Sequence, residues 1–328
     1  MTAMLRIIHP GACTTVQDLG RRHQAHLGVP LSGAMDDYAH AIANWLVGNS
    51  ASAATLEMTL FGADIEFLAP GEIALSGADM GCTINGRPMA QWQSHSVQKG
   101  DRLSMGMAKS GCRSYLAVQG GIACPQVLQS RSTYLSGGLG GHQGRMLQTG
   151  DVLPCGKTPG SGPASRRLPW SPRYPEPGTD IITVRAISGP QDDWFRQHSE
   201  LFFASAFLLS PKSNRMGCRL QGPVIAKDSD APESLLSIPI APGNVQIPAD
   251  GQTIVLLREQ TIGGYPCIAT VLSCDLWRLA QAQPGASIRF AQIDLDQGQA
   301  IAQEWHTFLA DTRILLGAPA EGGPKKPH

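Results

Sequence analysis

At 328 residues the chain is long enough for two domains of ordinary size, each burying its own core, so neither a disulfide staple nor a structural metal is needed for folding. Apolar residues make up 42% and charged residues only 16%, while 37 glycines and 24 prolines supply turn signals at a density that favours many short strands over long helices. Lys+Arg 26 against Asp+Glu 26 leaves no global field to draw the chain to nucleic acid or to an anionic bilayer.

The opening MTAMLRIIHPGACTTV lacks a basic segment followed by a sustained apolar run, and no apolar stretch approaches the ~18 residues of a membrane span. Eight scattered cysteines, without a CxxC pair or a Cys/His cluster at zinc spacing, read as small core hydrophobes. The expectation is a cytoplasmic protein with no metal and with neither membrane nor nucleic acid as partner.

From Met4 to Pro154 short apolar runs alternate with Gly-rich turns, and strands are expected at Ile65 to Phe67, Ile73 to Leu75, Arg102 to Met105 and Tyr115 to Val118. Met35, Tyr38, Ile42 and Trp45 break this pattern at helical spacing, and Gly48-Asn49 supplies a stop, which predicts a helix from about Asp36 to Val47. Residues 157–179, dense in Pro, Gly and Ser with no apolar period able to join a core, read as a linker between domains at 1–156 and 180–317.

In the second domain, strands are expected at Ile181 to Ile187, Ile254 to Leu257, Ile268 to Leu272 and Ile288 to Phe290. Three helices interrupt them: one begun by Pro190 and running through Trp194 and Phe195, one begun by Asp275, and one with Ile301, Trp305, Phe308 and Leu309 on a single face. Residues 318–328 read as a disordered tail. The fold class is mainly β (α+β), two β-barrel-like domains with a few short helices.

There is no GxGxxG, Walker loop, GxSxG elbow or HExxH, so polar groups clustered at glycine turns are what remains to carry chemistry. Ser32 and Asp36 stand at the start of the predicted helix, where they cap its N–H groups or leave them to a carboxylate or phosphate. Asp18 and Arg21, three apart, either pair with each other across a turn or meet a substrate. Alternation puts Glu57 on the face opposite Leu56 and Met58, where it is a solvated surface residue or, inside a barrel mouth, a base with a raised pKa.

Four glycines between Gly137 and Gly141 permit left-handed backbone and close approach to an anion, which Arg131 and Arg145 can grip; the competing reading is a surface connector with an ordinary loop histidine, His142. In the second domain Asn214-Arg215-Met216-Gly217, Gln246 and the run Gln260-Thr261-Ile262-Gly263-Gly264-Tyr265-Pro266 offer donors and acceptors suited to an amide or carboxylate. A β-hairpin with a Gly-Gly turn and a packed Tyr265 is the alternative.

Nine motifs in order, TTVQDLGR, SGAMD, ANWLVGN, LEMTLFG, LSGAD, YLAVQGGI, SRSTYLSGGLGGHQGR, NRMG and QTIGGYP, give the chain a resemblance from about Ile7 to Phe290 to the biotin-dependent carboxyltransferase family, also called allophanate hydrolase subunit 2 or Kip-antagonist-like. The resemblance implies cyclophilin-like barrel architecture and work beside a homologous partner. Stand-alone bacterial members are similar to the C subunit of ATP-dependent 5-oxoprolinase. That enzyme opens the lactam of 5-oxoproline to glutamate, and its other two members are a B-type (Kip-inhibitor-like) and an A-type (LamB/YcsF-type) protein. Fused relatives are the carboxyltransferase part of urea carboxylase, and a third implied role is a non-enzymatic regulator that sequesters a kinase inhibitor.

On this basis Asp36, Glu57, Arg131 and Arg145 are the expected catalytic residues. Ser32, Ser132, Gly140, Gly141, Arg215, Gln246, Gln260, Thr261 and Tyr265 are expected to bind a small amide or acid. No cofactor is expected on this chain alone: ATP belongs to the complex, and biotin only to the carboxyltransferase alternative. The sequence departs from the family at Arg258, where an Asp is usual, and at Ile262, which replaces a Thr.

Overall fold

In the computed structural model the described residues are 2–156, 165–170, 172, 174–176 and 181–320. The first half is a two-sheet sandwich. One sheet orders its strands Val152–Cys155, Thr2–His9, Asp64–Phe67, Arg102–Ser104, Thr83–Ile84 and Arg87–Pro88; the other runs Cys13–Gln17, Thr55–Thr59, Ser110–Val118, Gly71–Asp79 and Ser94–Val97. Leu5, Ile7, Ile65 and Phe67 from the first meet Val16, Leu56, Met58, Ile73 and Leu75 from the second in one buried core.

The second sheet is buried on both faces, which explains why its central strands read as continuous apolar runs rather than as an alternation. Against its outer face lies helix α1 (Asp37–Leu46), with every residue from Tyr38 to Leu46 buried. Ala74, Tyr115 and Ala117 point to this side while their strand neighbours point into the sandwich.

The second half closes into a seven-stranded barrel ordered Ile181–Ser188, Cys267–Val271, Asn244–Gln246, Ile254–Leu256, Gly217–Gln221, Ala206–Leu209 and Ser287–Gln292. Its last strand lies parallel to its first, and the others pair antiparallel. Phe202, from α2 (Ser199–Ala204), stacks on Phe290 at 4.6 Å and meets Phe207, filling one end of the barrel core. The expected mainly β class is thus met by a sandwich followed by a barrel.

The helix expected from Pro190 is instead a 3-10 turn at Asp192–Phe195 followed by the short α2. Asp275 does precede α3 (Leu276–Ala280), but its carboxylate accepts from Arg185 rather than capping the helix. Helix α4 (Leu295–Leu315) opens with a complete capping box between Asp294 and Gln297.

Three aromatic residues of the second half, Trp277, Trp305 and Phe308, lie 6.1, 5.4 and 6.2 Å from Tyr38 of α1, so one cluster binds the two halves. The reading of residues 157–179 as a segment without core contacts is corrected at two positions. Leu168 and Tyr174 are buried in that same cluster, Tyr174 stacked on Trp92 at 6.0 Å. Isolated apolar residues between prolines can plug a gap without showing any period. Residues 157–164, 171, 173 and 177–179 of that segment and 321–328 of the expected tail lie outside the described residues.

Leu168→Ala should therefore behave as a core truncation and not as a linker substitution. Chemical denaturation should show a loss of about 2–5 kcal/mol, against a few tenths for a change in a true spacer.

Candidate functional site

Residues Ser32 to Asp36 lead into α1 through a tight turn, and Asp36 is its N-cap, with Oδ1 accepting from Ala39 N at 2.9 Å. The turn is moored to the sheet below. Met35 N donates to Glu57 Oε2 at 2.8 Å, Asp36 N to the Tyr115 hydroxyl at 2.8 Å, and that hydroxyl donates to the same Glu57 oxygen at 2.8 Å. The barrel supplies the other side: Arg215 donates through Nη1 to Glu57 Oε1, through Nε to Glu259 Oε1 at 2.6 Å, and through Nη2 to Gly33 O at 2.6 Å.

Glu57 does face away from Leu56 and Met58, as alternation required, but it is 2% exposed and not solvated. The expected rise of its pKa is overturned. Burial pushes the carboxyl up, yet the guanidinium groups of Arg215 and Arg113 outweigh it and hold Glu57 below the usual glutamate value. Glu57 is thus a fixed anion.

Asp36 is its opposite. Burial without an arginine partner pushes its carboxyl up to about 7, although Ala39 N, Gln281 Nε2 at 2.7 Å and the Tyr174 hydroxyl at 3.0 Å all donate to it. The Tyr115 hydroxyl bridges the backbone N–H of Asp36 to Glu57 Oε2, and near neutrality Glu57 stays ionised while the Asp36 carboxyl is in mid-titration.

Gln281 is the second stitch between the halves. Its Oε1 accepts from Cys112 N and Arg113 N at 2.8 and 2.9 Å, while Nε2 also donates to Arg113 O at 2.9 Å. Sequence reasoning missed Arg113, Tyr115, Tyr174, Glu259 and Gln281. Arg113 and Tyr115 are polar alternates within a buried strand and carried a usable signal; Gln281, in AQAQ, carried none.

Asp18 is a hub for the glycine-rich region. Its Oδ1 accepts from Gly20 N at 2.8 Å and from the hydroxyls of Ser130 and Ser132 at 2.6 and 2.5 Å, and its Oδ2 accepts from Arg131 N at 2.6 Å. Arg21 does not pair with it across the turn: its guanidinium donates to the carbonyls of Val127 and Ser132. A Cβ at Gly140 would collide with Arg21 Nη2 and Ser132 O, and one at Gly141 with Thr133, so these glycines let the loop close on Arg21.

The structure thus gathers Ser32, Asp36, Glu57, Ser132, Gly140, Gly141 and Arg215 along one seam through the 18–35 segment. The Arg131 guanidinium donates through Nε to Cys124 O at 2.8 Å. Arg145 lies apart, held by both oxygens of Asp151 at 2.8 and 2.9 Å, with His142 Nε2 3.3 Å from the same carboxylate; the anion that Arg145 grips is its own neighbour.

Gln246 donates to Tyr265 O at 3.3 Å, and the half-exposed Tyr265 lines a cavity of about 410 Å³ with Trp194, Ile225, Leu235 and Ile247, to which the glycine-rich loop contributes no residue. Gln260 and Thr261 lie half-buried on the segment joining Glu259 of the seam to Tyr265. Gly263 makes no local hairpin: Ile262–Gly263 pairs with the distant Ile238–Pro239. Arg258, unusual for its motif, forms an ion pair with Asp37 Oδ2 at 2.8 Å and so anchors the first turn of α1.

Asp36 ties stability to pH. Between the unfolded carboxyl value of about 3.9 and about 7, the folded chain keeps a proton that the unfolded chain releases. The stabilisation is full below this window and is lost as pH rises through about 7. Denaturation series at pH 5 and pH 8 should show the loss in the wild type and a flatter profile in Asp36→Asn. Arg215→Met, which leaves Glu57 and Glu259 buried without their shared cation, should cost about 3–5 kcal/mol in the same assay at pH 7.

Residues 27–292 match the family described as carboxyltransferase domain, subdomain A and B. The chain is 41% identical to the C subunit of 5-oxoprolinase from Escherichia coli (strain K12) over 313 residues, covering 93% of this chain and 96% of that one. It is 36% identical to urea amidolyase of Lachancea kluyveri, over 88% of this chain but 17% of that much longer one. The crystal structure of the K. lactis urea amidolyase superposes with a TM-score of 0.84 at 31% identity, covering 94% of this chain and 20% of the other. The chain belongs to the carboxyltransferase domain family.

Proposed function

We propose that this chain is the C subunit of an ATP-dependent 5-oxoprolinase, acting in the cytoplasm with A-type and B-type partner proteins to open the lactam of 5-oxoproline to L-glutamate. The observation that carries this reading is end-to-end likeness: 96% of the Escherichia coli protein is covered, whereas the urea amidolyase relative is covered over 17% of its length.

In this reading the two buried carboxyl groups are positioning residues. Asp36 caps α1, and Glu57 ties the turn before it to the sheet and to Arg215, so together they fix where Ser32 to Met35 stand. Opening a lactam builds negative charge on the carbonyl oxygen, and donors held in place beforehand stabilise that charge without reorganising. Arg131, turned to Cys124 O, and Tyr265, in a cavity that the glycine-rich loop does not reach, are not proposed to hold one substrate together, and ATP is handled by the partner proteins.

The test is reconstitution: the purified chain with its A-type and B-type partners, ATP and 5-oxoproline, with glutamate measured over time. Omitting this chain should abolish product; undiminished glutamate without it rejects the reading. Likeness to the urea amidolyases supports a second reading, in which the chain transfers a carboxyl group to an amide from biotin carried on another polypeptide. Consumption of carboxybiotin in the presence of urea, with no glutamate formed from 5-oxoproline, selects that alternative.

A further inference from the structure

Three deeply buried polar atoms find no hydrogen-bond partner among the described residues and lie on neighbouring stretches: Gln17 Oε1, Arg21 Nη1 and Ser32 Oγ. Their residues are 0%, 1% and 0% exposed. Gln17 and Arg21 donate to consecutive carbonyls of one segment, Gln17 Nε2 to Thr133 O at 3.2 Å and Arg21 Nη2 to Ser132 O. Arg21 N in turn donates to Leu31 O at 2.6 Å, beside Ser32, and a Cβ at Gly20 would press on Ser32 O.

Arg21 is chemically the most demanding of the three. A buried guanidinium calls for a carboxylate in contact, yet both of its hydrogen-bond partners are neutral carbonyls; Asp18, spent on Gly20, Ser130, Arg131 and Ser132, and Glu259 act on it through space without a hydrogen bond. Ser32 adds a second, independent sign. It holds φ 53°, the left-handed region that serine adopts only under constraint and that clusters at ligand clamps.

A guanidinium N–H edge and a hydroxyl suit a carboxylate, and an amide oxygen suits an N–H. We propose that Arg21, Ser32 and Gln17 form a carboxylate subsite on this chain, in which Arg21 Nη1 and the Ser32 hydroxyl donate to the carboxylate of a small acid and Gln17 Oε1 accepts from an N–H of the same molecule. The inference rests on the proposed lactam substrate only for the identity of that acid, since 5-oxoproline carries both groups. The proposed subsite requires access past residues 22–29, the excursion between Arg21 and Pro30. All of these residues are exposed or half-buried, Leu27 is 58% exposed, and open space surrounds Gly28.

The test is a calorimetric titration of the purified full-length chain with three probes: 5-oxoproline, 2-pyrrolidinone, which lacks the carboxylate, and cyclopentanecarboxylate, which lacks the ring N–H. 5-Oxoproline should bind most tightly, with 2-pyrrolidinone weaker by about tenfold or more, as expected for losing a charge-assisted hydrogen bond. Ser32→Gly should weaken 5-oxoproline by about tenfold while the melting temperature holds or rises, because glycine accepts the left-handed backbone without strain. Arg21→Lys should weaken it further; if that variant fails to fold, Ser32→Gly decides.

No binding of 5-oxoproline at millimolar concentration, or equal binding by wild type and a folded Ser32→Gly, overturns the subsite. The two readings also fail separately. Glutamate formed by a reconstituted complex that is indifferent to Ser32→Gly removes the subsite and leaves the proposed function standing. Selective carboxylate binding by a chain whose complex makes no glutamate does the reverse.

Discussion

One buried guanidinium ties the two halves together at the turn that leads into α1. Arg215, reaching from the barrel, is shared between Glu57 of the sandwich and Glu259 of its own domain, and its third contact is the carbonyl of Gly33 in the turn before α1. Both carboxylates are buried and the arginine side chain is 11% exposed, so each charge depends on the others. Desolvating any one alone would be costly, and the planar fork of arginine answers two carboxylates and a carbonyl at once in a way a lysine cannot. The stance of the α1 entry turn follows from this contact, and with it the placement of Ser32 and Asp36.

Around that contact the two halves meet in different chemical materials. On one side is a polar layer in which Gln281 answers four groups of the opposite domain with one amide. On the other is an aromatic shoulder built from α1, the segment before the barrel and α4. The polar layer fixes orientation, since its hydrogen bonds tolerate little displacement, while the aromatic shoulder supplies apolar burial.

Much of the fold was legible in the sequence. Alternation placed Glu57 opposite Leu56 and Met58, helical spacing located α1, and the strands from Ile181, Ile254, Ile268 and Ile288 stand within a few residues of where their apolar runs put them. What failed was long-range. The pKa of Glu57 is set by Arg215, 158 positions away, and nothing near Glu57 announces it. Leu168 and Tyr174 look like spacers because only the fold reveals the gap they fill. In the candidate site, Ser32, Ser132, Gly140, Gly141 and Arg215 share a seam, but Arg145 was read as reaching outward because Asp151 stood in a turn whose geometry the sequence left open.

The aromatic shoulder has a spectroscopic consequence. Of the six tryptophans, Trp45, Trp92, Trp277 and Trp305 belong to this cluster and Trp170 touches Phe308 beside it, which leaves Trp194 alone to represent the barrel. Intrinsic emission therefore samples the joint between the halves far more than either interior. A fluorescence melt would track undocking there, whereas far-ultraviolet dichroism follows the strands of both halves, and any gap between the two curves would measure how cooperatively the halves come apart.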